Sequence, residues 1–93
     1  MSKVDFLSGA FSRLLLHESK GEDAVIKTGK SLIEENKSNL DRISELRNLF
    51  LERRDFWTEH DDVDYGNTYD VLQKEALNVL GGRFMILSGK VND

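Results

Sequence analysis

SNLDRISELRNLFLERRDFWTE, residues 38–59, decides the fold, because on a helical wheel it carries more apolar surface than one helix needs to bury. At roughly 100° per residue, Ile43, Leu46, Phe50 and Trp57 form the centre of an apolar arc. Leu40 and Leu51 widen one edge and Leu49 and Phe56 the other, well beyond the stripe of about 100° that an ordinary surface helix shows. The acidic side is Asp41, Glu45, Glu52, Asp55 and Glu59, while Arg42, Arg47, Arg53 and Arg54 fall inside or beside the apolar arc. Such a helix is either central to a bundle or lends one flank to a partner.

Outward from this stretch the rest of the chain reads as helix. A first helix is expected from about Lys3 to Ser19, opened by a Ser2/Asp5 capping pattern, carrying Leu7, Ala10, Phe11, Leu14 and Leu15 inward and stopped at Lys20-Gly21. A second starts near Asp23 with Val25, Ile26, Gly29, Leu32 and Ile33 inward. Residues Asn36 to Asn39 look like a joint, since Ser38 with Asp41 repeats the capping pattern. Without that joint, residues 23–59 would be one rod of roughly 55 Å. The third helix should end near His60, because Asp61 to Asn67 has loop composition and like charges in series. A fourth begins at Asn67 or Thr68 and uses Tyr69, Leu72, Ala76, Leu77, Leu80, Phe84 and Leu87. Gly81-Gly82 interrupts it, and has two readings: a close approach by a neighbouring helix, or a stop after which Arg83–Leu87 forms a separate, partner-facing segment. The expected fold is all-α, one domain over residues 1–93: an up-and-down four-helix bundle, or three helices if residues 23–59 are continuous.

Composition narrows the function. The chain has 93 residues, of which 39% are hydrophobic and 32% charged, so it is globular and not disordered. A net charge of −4 and a pI of about 5.1 argue against a nucleic-acid backbone as partner. There is no cysteine and no proline; thiolate metal sites and disulfides are thereby excluded, and the lack of proline suits a helical chain. No apolar run is long enough to span a bilayer, and MSKVDFLSGAF lacks the pattern of a secretory signal.

The residues offer little chemistry. His17 closes the first helix, where a cation suits the dipole. His60 stands among Glu59, Asp61, Asp62 and Asp64, but a calcium loop counted from Asp62 has Asn67 at the glycine position and Gln73 at the bidentate position, so no metal is expected. No nucleophile elbow or phosphate-binding glycine loop occurs. The expectation is therefore no enzyme, no metal and no cofactor. Trp and Arg dominate interface hot spots, so the edge set Leu49, Leu51, Arg53, Arg54 and Phe56, joined by Arg83, is the expected protein-binding surface, with Phe50 and Trp57 as core. On that reading Arg53 and Arg54 could both be reversed in charge without unfolding the chain. The expected partner is a larger protein complex; the alternatives are a homo-oligomer, such as a dimer, and a regulator bound to one basic target.

In the C-terminal half, Leu49-Phe50 precedes an acidic and aromatic stretch, Tyr69 follows, and Leu77-Asn78 comes eight residues later. This arrangement resembles the PsbQ-type proteins, small four-helix extrinsic subunits on the lumenal side of photosystem II, over roughly 45 residues. Ala76 to Phe84 is also similar to another small helical photosystem II assembly factor. The resemblance implies a subunit without chemistry of its own, located in the thylakoid lumen, that docks on membrane-protein loops and helps stabilise the oxygen-evolving centre. This chain is shorter than those families and has no proline-rich arm.

Overall fold

The periodicities above resolve into four helices in a computed structural model, which describes the backbone of residues 3–88 and the side chains of residues 4–81. These are α1 (Lys3–Glu18), α2 (Glu22–Glu35), α3 (Leu40–Glu59) and α4 (Val63–Ser88), with no strand among the described residues. The chain is an all-α four-helix bundle. The proposed Ser2 cap lies outside the described residues.

Each break has a local cause. Gly21 precedes α2 at φ 110, a backbone conformation that a side chain would strain. After α2, the buried Asn36 side chain donates to the Leu32 carbonyl at 2.7 Å, and the Asn39 N–H donates to the Asn36 carbonyl at 2.9 Å. The joint is therefore real, and the single rod and its three-helix bundle are ruled out; the longest extent of the molecule is only 43 Å. The cap of α3 is Asn39, not Ser38: its side chain accepts from the Arg42 N–H at 3.2 Å.

The start of α4 corrects the sequence reading by a full turn. Asp62 caps it, accepting from the Tyr65 N–H at 3.1 Å, so residues read as acidic loop form the helix's first turn. Asp61 takes the left-handed conformation (φ 61) that reverses the chain between α3 and α4. Gly66 lies inside this helix and leaves room for α3, since a Cβ there would fall 2.7 Å from Thr58 Oγ1. Gly81-Gly82 neither ends the helix, whose backbone runs on to Ser88, nor marks a close approach at Gly81, where a Cβ would meet nothing within 4 Å. The close approach sits elsewhere, at Gly29 on α2, where a Cβ would overlap the Leu72 side chain of α4.

Two antiparallel hairpins, α1–α2 and α3–α4, face each other, with α1 against α3 and α2 against α4. The α3–α4 packing is the most extensive; α1 and α4 do not pack along their lengths among the described residues. The core takes Phe6, Ala10 and Leu14 from α1, and Val25, Leu32 and Ile33 from α2. From α3 come Ile43, Leu46, Leu49 and Phe50; from α4, Tyr69, Leu72, Ala76 and Leu80. Leu77 was expected inward and is 42% exposed; on α1, Phe11 and Leu15 are also exposed, leaving Phe6, Ala10 and Leu14 as that helix's true inner edge. Trp57 is half-buried, stacked on Tyr65 with ring centroids 4.7 Å apart. Its indole N–H has no hydrogen-bond partner, a deficit of about 1–3 kcal/mol.

Candidate functional site

The four arginines of α3 all reach partners within the chain. Arg42 lies over the Phe6 ring at 4.9 Å and donates to Asn36 at 3.5 Å. Arg47 donates to the Gln73 side chain at 3.4 Å. Arg54 bonds Asp70 on α4 and its neighbour Asp55, each at 3.1 Å. Lys74 first, joined by Arg54 and Gln73, holds the Asp70 carboxyl below the usual carboxylate range against the opposing effect of burial.

Arg53 is the most committed of them. Its guanidinium grips Glu18 at the end of α1 through two bonds, Nε to Oε2 at 3.0 Å and Nη2 to Oε1 at 2.8 Å, and the two side chains are 10% and 8% exposed. The Tyr69 hydroxyl donates to Glu18 Oε2, and the Tyr65 hydroxyl donates to the Glu18 backbone carbonyl at 2.6 Å. Phe56 and Phe11 cover the guanidinium at 4.4 and 5.3 Å from its carbon. A carboxylate on the last residue of a helix opposes the helix dipole; three hydrogen bonds to this one offset that and close α1 onto α3 and α4.

The clasp gives a pH dependence with a definite sign. Burial, and then the hydrogen bond to Glu18, push the Tyr69 hydroxyl well above its ordinary value of 10.0. The folded chain thus keeps this proton to higher pH than the unfolded chain, so its contribution is complete below about pH 10 and is lost as pH rises past that value. Urea midpoints measured from about pH 9 to 11 should fall, and Tyr69→Phe should remove most of that slope.

The expected binding set does not form one surface. Leu49 and Arg53, each 8% exposed, are covered by their own chain and are withdrawn as freely presented contacts. Leu51 and Arg54 are half-buried and lie across the helix from Leu49 and Phe56. Phe56 is 38% exposed; it stacks on the His60 ring at 4.2 Å. The side chain of Arg83 lies outside the described residues. Missing from the set are Val4, Phe11 and Leu15 on α1, exposed at 75%, 37% and 42%.

Of these α1 side chains, Val4 and Phe11 line the open groove between α1 and α3, about 390 Å³ in volume. Val4, Leu7 and Phe11 form one wall, Leu49 the floor, and Glu45 and Glu52 the other wall. At roughly 100° per residue, Val4, Phe11 and Leu15 lie within about 40° of one another. Together with the buried Phe6, Ala10 and Leu14 they make a second wide apolar arc, legible from period alone.

Among the described residues no group of three His, Asp or Glu side chains is placed to hold a metal ion, and no helix is long and apolar enough to cross a membrane. No family model matches the chain, and no curated protein or solved structure matches it.

Proposed function

We propose that this chain is a non-catalytic helical docking subunit, an accessory or assembly component that binds a larger protein complex through the α1–α3 flank. The observation that carries the reading is the exposed apolar set Val4 and Phe11, which line the groove, with Leu15 and Phe56 on the same faces of α1 and α3, in a bundle whose core is complete without it. Contiguous apolar surface of this kind is characteristic of interaction sites.

Photosystem II is the narrower proposal, with the thylakoid lumen as its compartment. The four-helix architecture agrees with the PsbQ resemblance, but Phe50 and Tyr69, which carry much of that resemblance, are core residues whose rings lie 6.4 Å apart. The resemblance therefore speaks to the bundle more than to the docking face.

The test uses Val4→Asp with Leu15→Asp, two exposed positions whose change leaves the core intact. Pull-down from native lysate should enrich one large complex that this variant loses while keeping its thermal melt. Photosystem II subunits in that complex would support the narrower proposal. A single basic protein as prey would favour a regulator, and bait alone running as a dimer would favour self-association; either would overturn the accessory-subunit reading.

A further inference from the structure

We infer that the α1–α3 groove receives an amphipathic helix of a partner protein whose apolar ridge is flanked by lysine or arginine on one side only. This rests on the docking reading above and narrows it to one occupant.

The groove has the dimensions of a helix seat. Its α1 lining, Val4 to Phe11, spans about 10 Å, or two turns, which matches the i, i+3/i+4, i+7 anchors of a helix laid in a groove. Its floor and α1 wall are apolar, from Leu49, Val4, Leu7 and Phe11. The α3 wall is acidic. Glu45 and Glu52 line the groove directly, and Asp41 and Glu59 extend the row, all four falling within about 40° on the helix. Asp41, Glu52 and Glu59 of this row are exposed, and the arginines of α3 reach to Phe6, Gln73, Glu18 and Asp70. On α1, Arg13 points to the far side, paired with Glu35 of α2 at 3.0 Å.

The two walls thus differ: carboxylates along α3, apolar and hydroxyl side chains along α1. A bound helix is satisfied when its cations lie on the α3 side alone, which fixes the rotation of its ridge and its direction. A second copy of this chain is a poor occupant. Its own α1 flank carries no lysine or arginine from Val4 to Ser12, its α3 repeats the acidic row, and each copy carries a net charge of −4. Charge complementarity therefore selects a basic-flanked partner over self-association.

The test is titration of the full chain with two synthetic amphipathic peptides of about 18 residues, identical in their leucine ridge and carrying Lys or Glu along one flank. Amide shifts locate binding, and fluorescence anisotropy of labelled peptide gives affinity. The Lys peptide should bind at the groove about tenfold tighter than the Glu peptide at low salt, with the gap narrowing as salt rises. Glu52→Lys with Glu59→Lys, both exposed, should invert the preference while the melt stays unchanged. Equal binding of both peptides in the groove would overturn the charge inference and leave the docking face standing. No binding by either peptide would overturn the groove as a helix seat, and the pull-down with Val4→Asp and Leu15→Asp would then decide separately whether the apolar row docks anything. A concentration-dependent dimer abolished by that same variant would put a second copy in the groove and overturn the inference.

Discussion

Replacing Arg53 with alanine is expected to destabilise the bundle by about 3–5 kcal/mol, read from urea unfolding. The mutation removes both guanidinium bonds to Glu18 and leaves that carboxylate buried, with the Tyr69 hydroxyl as its remaining side-chain donor. It also opens the space between Phe11 and Phe56. Domains of this size have total stabilities of about 5–15 kcal/mol, so such a loss is a large fraction of the whole. Arg54→Ala supplies the comparison: its pair with Asp70 is 35% and 27% exposed, and such partly solvated pairs contribute about 0–1 kcal/mol. Removing both partners of the buried pair, Arg53→Met with Glu18→Met, should recover much of the loss, because the penalty lies in the stranded charge more than in the missing attraction. An Arg53→Ala loss no larger than that of Arg54→Ala would show that the clasp contributes nothing to the fold.

This reverses what residues 38–59 suggest alone, and the reason is physical. A wheel gives the direction of a side chain from its own helix, but not what another helix places opposite it. Arg53 beside Phe56 and Trp57 has the composition of an interface anchor; what makes it structural is Glu18, 35 residues earlier on a different helix. Residues that satisfy local rules were legible. The joint at Asn36–Asn39, the ends of α1 and α2, and the core positions Ile43, Leu46 and Phe50 follow from capping and period alone. Asp62 was hidden by its company: within a run of carboxylates it reads as solvated loop, whereas its role as a cap for Tyr65 needs only one of those charges.

The docking flank was half legible. Phe56 is exposed as its edge position on α3 implied, but the matching wall lies on α1, where Phe11 and Leu15 share the period of the buried Ala10 and Leu14. Period alone does not say where along a wide arc the neighbouring helix stops. That boundary is set by how far α3 overlaps α1, and α1 meets α3 over a much smaller surface than α3 shares with α4. The same limited overlap leaves the groove open.

The division between core and flank can be tested within one helix, using two phenylalanines. Phe50→Ala is expected to cost about 3–5 kcal/mol, because Phe50 is fully buried at the α3–α4 packing and its ring faces Tyr69. Little can move in to fill the hole, since Ile43, Leu46 and Leu72 around the core are also fully buried. Phe56→Ala should cost only about 1 kcal/mol, chiefly its contact with the Arg53 guanidinium, since the residue is 38% exposed. Their effects on binding should run the other way. Phe56→Ala should weaken peptide or partner capture in a protein that melts almost as wild type. Phe50→Ala, assayed at a temperature where it remains folded, should bind normally. Equal stability losses at the two positions would mean that Phe56 belongs to the core, and the apolar row would then stop at α1.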